Sequence, residues 1–542
     1  DGSAGTLVVC PQGAYLWTDG RYFLQAQVQL AQSGIELMRM GEPGVLSVKD
    51  FLHGALEENA VLALDGRSMD AAAVKALRQA LSDRAVEVRH DPALFDALWP
   101  ERPPLPQAPV WLLSERYAGE SAAAKLAWLR GEMEKHAADV WVLANCEDIA
   151  WLLNLRGGDL PHTPAPLCFC FVERARVCLC IDADKRDAAV SAALEALGVE
   201  FRPYEGAYGF ACRYGQGVTA VLSEGRVNYA LWEILAQNTL LLDVEDVIGL
   251  RRALRNPVQI ENLRRAHVKD GVALTRFLYF MKTEGAGLRE AEAAKRLDAL
   301  RLQAEGCLGA SFDTICGYGP NAAIVHYRAV AGADAKIEPR GLLLVDSGGQ
   351  YYEGTTDVTR TLVMGPLTPE EKRCYTLVLK GMLSLMAARF PAGTRGVQLD
   401  VLARAPLWRE GLDYRHGTGH GVGYLLGVHE DPVRIRNGGE DFVFRPGMAV
   451  SDEPGVYCEG SHGVRLENLL LCREDAQTPY GRFLSFETLT LAPLELDAID
   501  PALLDRAETD ALNAYHARVY AALSPFFEGE ALLWLQRATR PL

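Results

Sequence analysis

Five residues of types that bind metal ions lie in the last two-fifths of the chain, each within a short and distinctive phrase. The five are Asp346, Asp357, His420, Glu453 and Glu467. Closed structural zinc sites favour Cys and His, so four carboxylates and one imidazole fit such a site poorly. The set suits two hard divalent cations that share carboxylates, activate a water and polarise a carbonyl. Hydrolysis is therefore the chemistry that the sequence favours.

The length and net charge of the chain limit its domain number and the partners that it can bind. A chain of 542 residues is too long for one hydrophobic core, and about three domains are expected. The formal net charge of −16 comes without any basic tract, so we predict no nucleic-acid partner. No stretch approaches the roughly 18 apolar residues of a membrane span, so we predict no membrane partner. The chain opens on Asp1-Gly2 rather than Met, and we expect a lost or processed start.

The twelve cysteines do not form the dense framework of a small secreted protein. Four of them make a C-x-C…C-x-C pattern that invites a zinc or iron–sulfur interpretation: Cys168, Cys170, Cys178 and Cys180. Residues 167–172 and 177–181, however, read as two strands joined by a polar turn. Residues i and i+2 share one face of a strand, where free Cys behaves as a small hydrophobic residue. We predict core packing for these four and a reducing, cytoplasmic setting for the protein.

The chain divides into segments of different pattern. The proline-rich run 99–109 predicts a linker, because consecutive prolines continue neither a helix nor a central strand. We predict domains over 1–105, 106–247 and 248–490, followed by a helical extension over 491–542. The order of strands and turns in the first domain is echoed in the second. This indicates a duplication in which about the first fifty residues of the first copy are missing here.

The local patterns around the five residues indicate how they would be presented. Residues 341–345 form a continuous apolar run that predicts a buried strand delivering Asp346, and a hairpin would bring Asp357 opposite it. A buried Asp is costly unless it is paired or bound to a metal. Four glycines in 416–423 exclude a helical H-E-x-x-H site and predict a backbone that passes close to metals or substrate. Arg465, two residues before Glu467, would share its strand face and hold a ligand carboxylate.

In this order and with these flanks, the five residues resemble the dinuclear site of the pita-bread metallopeptidases. Within them the chain resembles the long, three-domain form of aminopeptidase P, the Xaa-Pro aminopeptidases. The Gly-Pro-Asn-Ala-Ala-Ile-Val-His-Tyr phrase ending at Tyr327, the Gly-Thr-Thr-Asp-Val-Thr-Arg-Thr phrase ending at Thr361 and the Trp-Leu-Gln-Arg tail carry this resemblance. The fold class that it implies is α/β (α+β), with two creatinase-like N-terminal α/β domains before a C-terminal pita-bread catalytic domain.

The resemblance also implies roles for individual residues. Asp346 and Asp357 would hold one ion, His420 and Glu453 the other, and Glu467 would bridge the two. The ions are expected to be manganese, with cobalt or zinc as alternatives. A hydroxide bridging the ions would attack the scissile carbonyl, and Glu453 would also serve as general base. The family's active-site histidines are matched by a further set of three: His326, His416 and His429.

The implied activity is release of the N-terminal residue from peptides that have proline second, by a protein that acts as a homodimer. Three alternatives stay open on the sequence alone. Prolidase would cut only Xaa-Pro dipeptides with the same metals. Creatine amidinohydrolase shares the fold but lacks these ligands. A binding protein on an inactive peptidase scaffold would typically have lost some of the five residues.

Overall fold

The computed structural model describes residues 4–96, 98–439 and 442–542, which form two compact units. One unit joins the first segment, as far as Leu37, to Ala253–Leu542, and the second unit is Met38–Arg252. The first segment contains strands β1 (Thr6–Cys10) and β2 (Gly13–Thr18), helix α1 (Phe23–Gln29) and the start of β3 (Ile35–Arg39). Strands β1 and β2 form an antiparallel hairpin. The chain therefore begins in one unit, builds the second, and then returns to the first.

The unit Met38–Arg252 contains alternating helices and strands. Its helices are α2 (Val48–Ala55), α3 (Ala71–Ala80), α4 (Glu115–Ala118), α5 (Ala122–Lys135), α6 (Cys146–Leu152), α7 (Ala188–Glu195), α8 (Ala207–Ala211), α9 (Tyr229–Asn238) and the start of α10 (Val247–Ala253). Its strands are β4 (Val61–Leu64), β5 (Glu87–His90), β6 (Trp111–Leu112), β7 (Val140–Leu143), β8 (Leu155–Arg156), β9 (Phe169–Glu173), β10 (Val177–Cys180), β11 (Val199–Arg202), β12 (Thr219–Leu222) and β13 (Leu240–Asp243).

Six of these strands form one mixed sheet in the order β11-β10-β9-β7-β12-β13. The predicted hairpin is confirmed, because β9 and β10 pair antiparallel with Cys170 opposite Leu179 and Cys178 opposite Phe171. The four cysteines of the C-x-C pattern are all free and buried. Cys178 and Cys180 belong to the same apolar cluster as Phe169 and Phe171. Their packing matches the core role predicted from strand periodicity.

The larger unit, from Ala253 onward, carries all five candidate ligands. Its helices are α11 (Pro257–Glu284), α12 (Glu290–Arg301), α13 (Pro369–Met386), α14 (Gly396–Trp408), α15 (Arg506–Leu523) and α16 (Gly529–Ala538). Its strands are β14 (Cys307–Ala310), β15 (Ile315–Tyr318), β16 (Leu342–Ser347), β17 (Gly349–Tyr351), β18 (Gly354–Thr355), β19 (Val358–Val363), β20 (Arg389–Pro391), β21 (Gly419–Gly421), β22 (Glu430–Ile435), β23 (Ala449–Asp452), β24 (Gly455–Cys458), β25 (His462–Arg465), β26 (Asn468–Thr478) and β27 (Gly481–Thr488).

The starts of helices α13 and α11 follow from their capping residues. At α13, Thr368 accepts a hydrogen bond from the Glu371 amide, and Glu371 accepts one from the Thr368 amide, with Pro369 in the first turn. This capping box satisfies two backbone donors that a helix start leaves free. Asn256 and Gln259 make the same arrangement before α11. The Thr-Pro-Glu-Glu sequence at 368–371 predicts a helix start with Thr368 as its N-cap, and the structure confirms it. The apolar spacing predicts a second helix from Gln259, and α11 begins two residues earlier.

Two sheets and a hairpin determine where the candidate ligands lie. Strands β15, β16 and β19 form one antiparallel sheet, and β20-β27-β26-β23-β21-β22 form a larger one. Strands β24 and β25 make a separate two-stranded hairpin. Helix α13 and the C-terminal helices share one apolar core, while α11 and α12 share another with β15, β16 and β19. No helix in the described ranges of the chain has the length and apolar character needed to cross a bilayer.

Candidate metal centre

Strand β16 and the start of β19 position the two aspartates. Asp346 is the fifth residue of β16, and Asp357 lies immediately before β19. The antiparallel register sets Asp346 opposite Thr359 and Ser347 opposite Val358, so both aspartates lie at the same end of the strand pair. Asp346 and Asp357 are 8% and 4% exposed. The predicted buried strand and hairpin are thus confirmed.

The larger sheet supplies His420 from β21 and, just after β23, Glu453. The His420 Nδ1 donates to the carbonyl of Gly421 at 2.9 Å, which makes Nε2 the nitrogen available to a metal. That Nε2 lies 3.4 Å from Asp357 Oδ2 and 3.4 Å from Glu453 Oε1. Strands from two different sheets therefore bring Asp357, His420 and Glu453 together.

The glycines around His420 have a different cause from the one expected. A Cβ on Gly419 would lie 1.9 Å from the Ser451 carbonyl oxygen, and one on Gly421 would lie 2.2 Å from that of Glu430. The close neighbours at these two positions are the adjoining strands, not a ligand. The segment is strand and turn rather than helix, as predicted. Glycine is needed here because any side chain would push β21 away from the sheet that positions His420.

Glu467 lies where the chain passes from one sheet to another. Strand β25 ends at Arg465 and β26 begins at Asn468, because β25 pairs with β24 whereas β26 pairs with β23 and β27. The expectation that Arg465 and Glu467 share the face of one strand is therefore wrong. Arg465 instead donates through Nη2 to Asp346 Oδ2 at 2.7 Å. Glu467 Oε2 accepts from Thr359 Oγ1 at 2.8 Å.

The carboxylates converge on one buried space, where Arg465 pairs with Asp346. Ligand atoms of Asp357, His420 and Glu467 all lie within 4.8 Å of one another. Within the described ranges, Asp346 Oδ1 and Glu467 Oε1 are buried without a hydrogen-bond partner. Burial raises the pKa of Asp357 and of Glu467 well above the usual range, and the neighbouring carboxylates add to that effect. Buried carboxylate oxygens without donors are what hard divalent cations bind, so this donor set fits two such ions.

The three further histidines surround this group. The ring centroid of His429 is 4.3 Å from that of His420, and repulsion from His420 is the main cause that lowers the pKa of His429 to about 2. Burial, followed by the charges of Arg21 and Arg465, lowers the pKa of His326 to about 4. Burial also lowers the pKa of His416 well below its usual range. All three imidazoles are therefore neutral near pH 7, the form in which a ring nitrogen accepts a proton or a hydrogen bond.

Two tyrosines complete the surroundings, and the sequence reasoning missed both. Tyr457 Oη accepts from Arg465 Nη1 at 2.8 Å and lies 2.8 Å from His416 Nε2. Because His416 Nδ1 donates to the Gly417 carbonyl, its Nε2 accepts the Tyr457 proton. Tyr22 Oη lies 2.8 Å from His326 Nδ1. The phrase Trp-Thr-Asp-Gly-Arg-Tyr-Phe ending at Phe23 was the available signal for Tyr22, while Tyr457 had none.

Comparisons with known proteins identify the family to which this chain belongs. A protein from Botryotinia fuckeliana named Probable Xaa-Pro aminopeptidase P is 38% identical over 562 residues, covering 100% of this chain and 86% of that protein. The chain belongs to the aminopeptidase P family. The model described as metallopeptidase family M24 matches residues 261–474, and that of its C-terminal region matches 482–542. Two matches to the creatinase/prolidase N-terminal domain cover 1–93 and 101–259. The chain is thus a metallopeptidase, as expected.

A plant relative and a solved structure support the same family assignment. Aminopeptidase P2 of Arabidopsis thaliana is 37% identical over 582 residues, which cover 100% of this chain and 82% of that protein. The crystal structure of an X-prolyl aminopeptidase from Caenorhabditis elegans superposes with a TM-score of 0.95 at 32% identity, covering 100% of this chain and 90% of that one. That enzyme is described as cytosolic, with a di-nuclear active site. The expected fold class, two creatinase-like α/β domains before a pita-bread domain, is confirmed.

Proposed function

We propose that this chain is a metal-dependent exopeptidase that hydrolyses the N-terminal Xaa-Pro bond of peptides with proline second. The observation that carries the proposal is the convergence of four carboxylates and His420 on one buried space within a metallopeptidase of this family. The names of the fungal relative and of the nematode structure refer to the same peptide bond. The positions of the three neutral histidines next to this space add support.

We propose that Asp346 and Asp357 hold one divalent ion, that His420 and Glu453 hold the other, and that Glu467 contacts both. The oxygen-rich donor set suits manganese, while cobalt and zinc would also bind. When bound, the pair would activate the attacking water and polarise the scissile carbonyl. Arg465 is a positioning residue, because its hydrogen bond to Asp346 Oδ2 leaves Oδ1 of that carboxylate for an ion.

The remaining residues of the site would transfer protons and bind the substrate. The carboxylate of Glu453, whose Oε1 accepts from Ser451 Oγ at 3.1 Å, is our candidate general base. His326 and His429 would contact the peptide around the scissile carbonyl and the proline. Tyr22 orients His326 through Nδ1, so Nε2 is the nitrogen that would face a substrate. His416 would assist breakdown of the tetrahedral intermediate through the Tyr457 hydroxyl that it contacts.

We further propose a homodimer in a reducing, cytoplasmic setting. All twelve cysteines are free, and seven of them are buried. The nematode relative is described as cytosolic. Light scattering on the purified protein tests the dimer, since a monomer mass over the working concentration range would rule it out.

The test of the activity is an assay of the protein after metal removal and again after addition of manganese. Arg-Pro-Pro and Ala-Pro are the two substrates. Release of free Arg from the tripeptide, dependent on manganese, is the expected result. Cleavage of the dipeptide alone would replace the proposal by a prolidase. Cleavage of neither peptide, with manganese bound, would indicate a binding protein on a peptidase scaffold.

A further inference from the structure

A second group of metal-binding side chains lies away from the candidate metal centre, where helix α13 meets the β24–β25 hairpin. Its members are Cys374, Cys458 and His462, and one ligand atom from each lies within 4.8 Å of those of the other two. Two thiols and an imidazole are the donors that structural zinc sites favour. The five residues of the candidate metal centre offer only oxygen and nitrogen donors, so the two groups differ in the cations that they prefer.

The fold brings these three residues together through well-defined contacts. Cys458 and His462 are a directly opposed pair next to the turn that joins the two strands of the hairpin. Helix α13 packs against both strands and presents Cys374 to them. Cys374 and His462 are 0% and 3% exposed, whereas Cys458 is half-buried. A cation could therefore enter from the side of Cys458 and be enclosed by the other two.

His462 supplies an independent sign that something is bound here. Its Nδ1 lies 2.9 Å from Ser461 Oγ, while its buried Nε2 finds no hydrogen-bond partner among the residues that the structure describes. A buried polar atom without a hydrogen-bond partner destabilises the folded state unless something else satisfies it. One nitrogen held by a hydroxyl and the other left without a partner is the pattern of a metal-binding histidine whose ring is oriented by a neighbour.

We propose that Cys374, Cys458 and His462 form a third metal site, specific for Zn²⁺, with Glu370 as the fourth ligand. Glu370 Oε1 lies 3.7 Å from Cys374 Sγ. In a tetrahedral zinc site with bonds of about 2.0–2.3 Å, ligand atoms are separated by roughly 3.5–3.8 Å. The observed limit of 4.8 Å for the other three needs a contraction of about 1 Å or less, which side-chain rotation supplies.

The protonation of two of these groups, His462 and Cys374, agrees with this assignment. Burial lowers the pKa of His462, which keeps the imidazole in the neutral form that binds metals. Burial raises the pKa of Cys374 to about 12, so its thiol stays protonated until a cation stabilises the thiolate. A soft divalent cation such as zinc meets that requirement better than manganese does.

The position of the site gives it a structural purpose. The same hairpin carries Tyr457 and Arg465, which reach His416 and Asp346 in the candidate metal centre. Zinc bound at Cys458 and His462 would tie the turn end of the hairpin to α13. The ion would thereby hold in place the hairpin that positions Tyr457 and Arg465, without itself taking part in hydrolysis.

Cobalt distinguishes this site from the candidate metal centre, because only thiolate ligands give Co²⁺ a strong charge-transfer absorption in the near ultraviolet. The full-length, reduced protein would be stripped of metal and titrated with Co²⁺. In the wild type the saturated band should correspond to one Co²⁺ per chain, in addition to the cobalt held by the candidate metal centre. Added zinc should displace the cobalt that gives the band. Asp357→Asn, a change confined to the candidate metal centre, should leave the band intact.

The variants assign the band to its ligands. Cys458→Ser should abolish it and weaken zinc binding by at least about 10–100-fold, the loss that changing even an outer partner of a metal site causes. Cys458 is half-buried, so this variant should fold, and circular dichroism checks that it does. The matched control is Cys307→Ser, since Cys307 is also half-buried but lies on β14. His462→Gln should weaken the band in the same folded background.

Three results would overturn the proposal. The first is a wild type without the band, and the second is an equal band in Cys458→Ser. The third is a disulfide between Cys374 and Cys458 in protein kept with physiological thiol, detected by mass spectrometry of the unreduced chain. None of these results bears on the proposed peptidase activity, which the manganese assay tests separately.

Discussion

Tyr22 Oη and His326 Nδ1 lie 2.8 Å apart, although 304 positions separate the two residues in the chain. Their rings meet edge to face, with centroids 5.1 Å apart. The hydrogen bond determines which nitrogen of His326 would face a substrate, and the ring contact limits its rotation. A residue from the first segment of the chain thus orients a proposed catalytic histidine from the middle of it.

The variant Tyr22→Phe keeps this ring contact and removes the hydroxyl. We expect kcat/KM for Arg-Pro-Pro to fall by about 10-fold or more, the loss typical of an orienting partner, while metal content stays at the wild-type level. Tyr480→Phe is the control, because Tyr480 is 92% exposed on the β26–β27 turn. Unchanged kinetics in Tyr22→Phe would show that the hydroxyl has no part in orienting His326.

Arg465→Lys tests whether the hydrogen bonds of Arg465 position the ligands of the candidate metal centre. Arg465 is 1% exposed and donates to Asp346, Tyr457 and Thr359 at 2.7, 2.8 and 3.3 Å. A lysine carries one ammonium instead of a fork of donors and cannot keep all three contacts. We expect manganese affinity to fall by about 10–100-fold, measured by calorimetric titration. Arg473→Lys, at an exposed position of β26, should bind manganese as the wild type does.

Asp357→Asn tests whether the carboxylates hold ions. The substitution should abolish activity and remove much of the bound manganese, as measured by elemental analysis. Without metal it should not lower the melting temperature, because Asp357 is repelled by Asp346 and Glu453. In the wild type, free manganese at about 100 times Kd should raise the free energy of unfolding by about 2.7 kcal/mol for each occupied site. The variant should lose much of this gain.

The control for this substitution is Asp510→Asn, whose side chain is 71% exposed on α15. It should retain both activity and stabilisation by manganese. Full activity of Asp357→Asn, with wild-type metal content, would refute the assignment of Asp357 as a ligand.

Stability in mild acid should depend on the buried imidazole of His516. His516 is 0% exposed, and its Nε2 accepts from the Leu494 amide at 3.1 Å. Burial, with Arg360 and Arg540, lowers its pKa from 6.5 to about 4. The folded state therefore binds fewer protons than the unfolded state. The resulting stability is present above pH 6.5 and is lost as the pH falls towards 4, by roughly 3 kcal/mol.

His516→Gln removes this titration while keeping a polar group at the position. Urea unfolding of variant and wild type at pH 7.5 and pH 4.5 measures the effect, since any contribution from the metal centre is common to both and cancels in the difference. The variant should lose less stability between the two pH values than the wild type does. Equal losses in both proteins would contradict the prediction, and His136→Gln should behave as the wild type.

Much of the catalytic unit could be predicted from local sequence. The apolar run before Asp346 predicted β16, and the Thr368-Pro369 pair predicted the start of α13, because strand burial and helix capping depend on neighbouring residues. The glycines near His420 were noticed but explained wrongly. Their neighbours, Ser451 and Glu430, belong to strands whose pairing with β21 no local pattern reveals.

Contacts between distant segments could not be predicted. The partner of Arg465 is Asp346 rather than Glu467, because the chain changes sheets between Arg465 and Asn468. The role of Tyr22 depends on the first segment packing in the same unit as His326. Cys374 and Cys458 are far apart in sequence, and neither lies in a phrase that indicates a metal site. Periodicity describes one element at a time and carries no information on such pairs.

Because the first segment and Ala253–Leu542 form one unit, the order of synthesis matters for this enzyme. The β1–β2 hairpin emerges from the ribosome before the whole of Met38–Arg252, and its partners emerge only afterwards. At about 5–20 residues per second, it waits on the order of ten to forty seconds with its apolar face uncovered. Translation speed and chaperones that hold nascent chains should therefore influence the yield of active protein more than they influence its final stability.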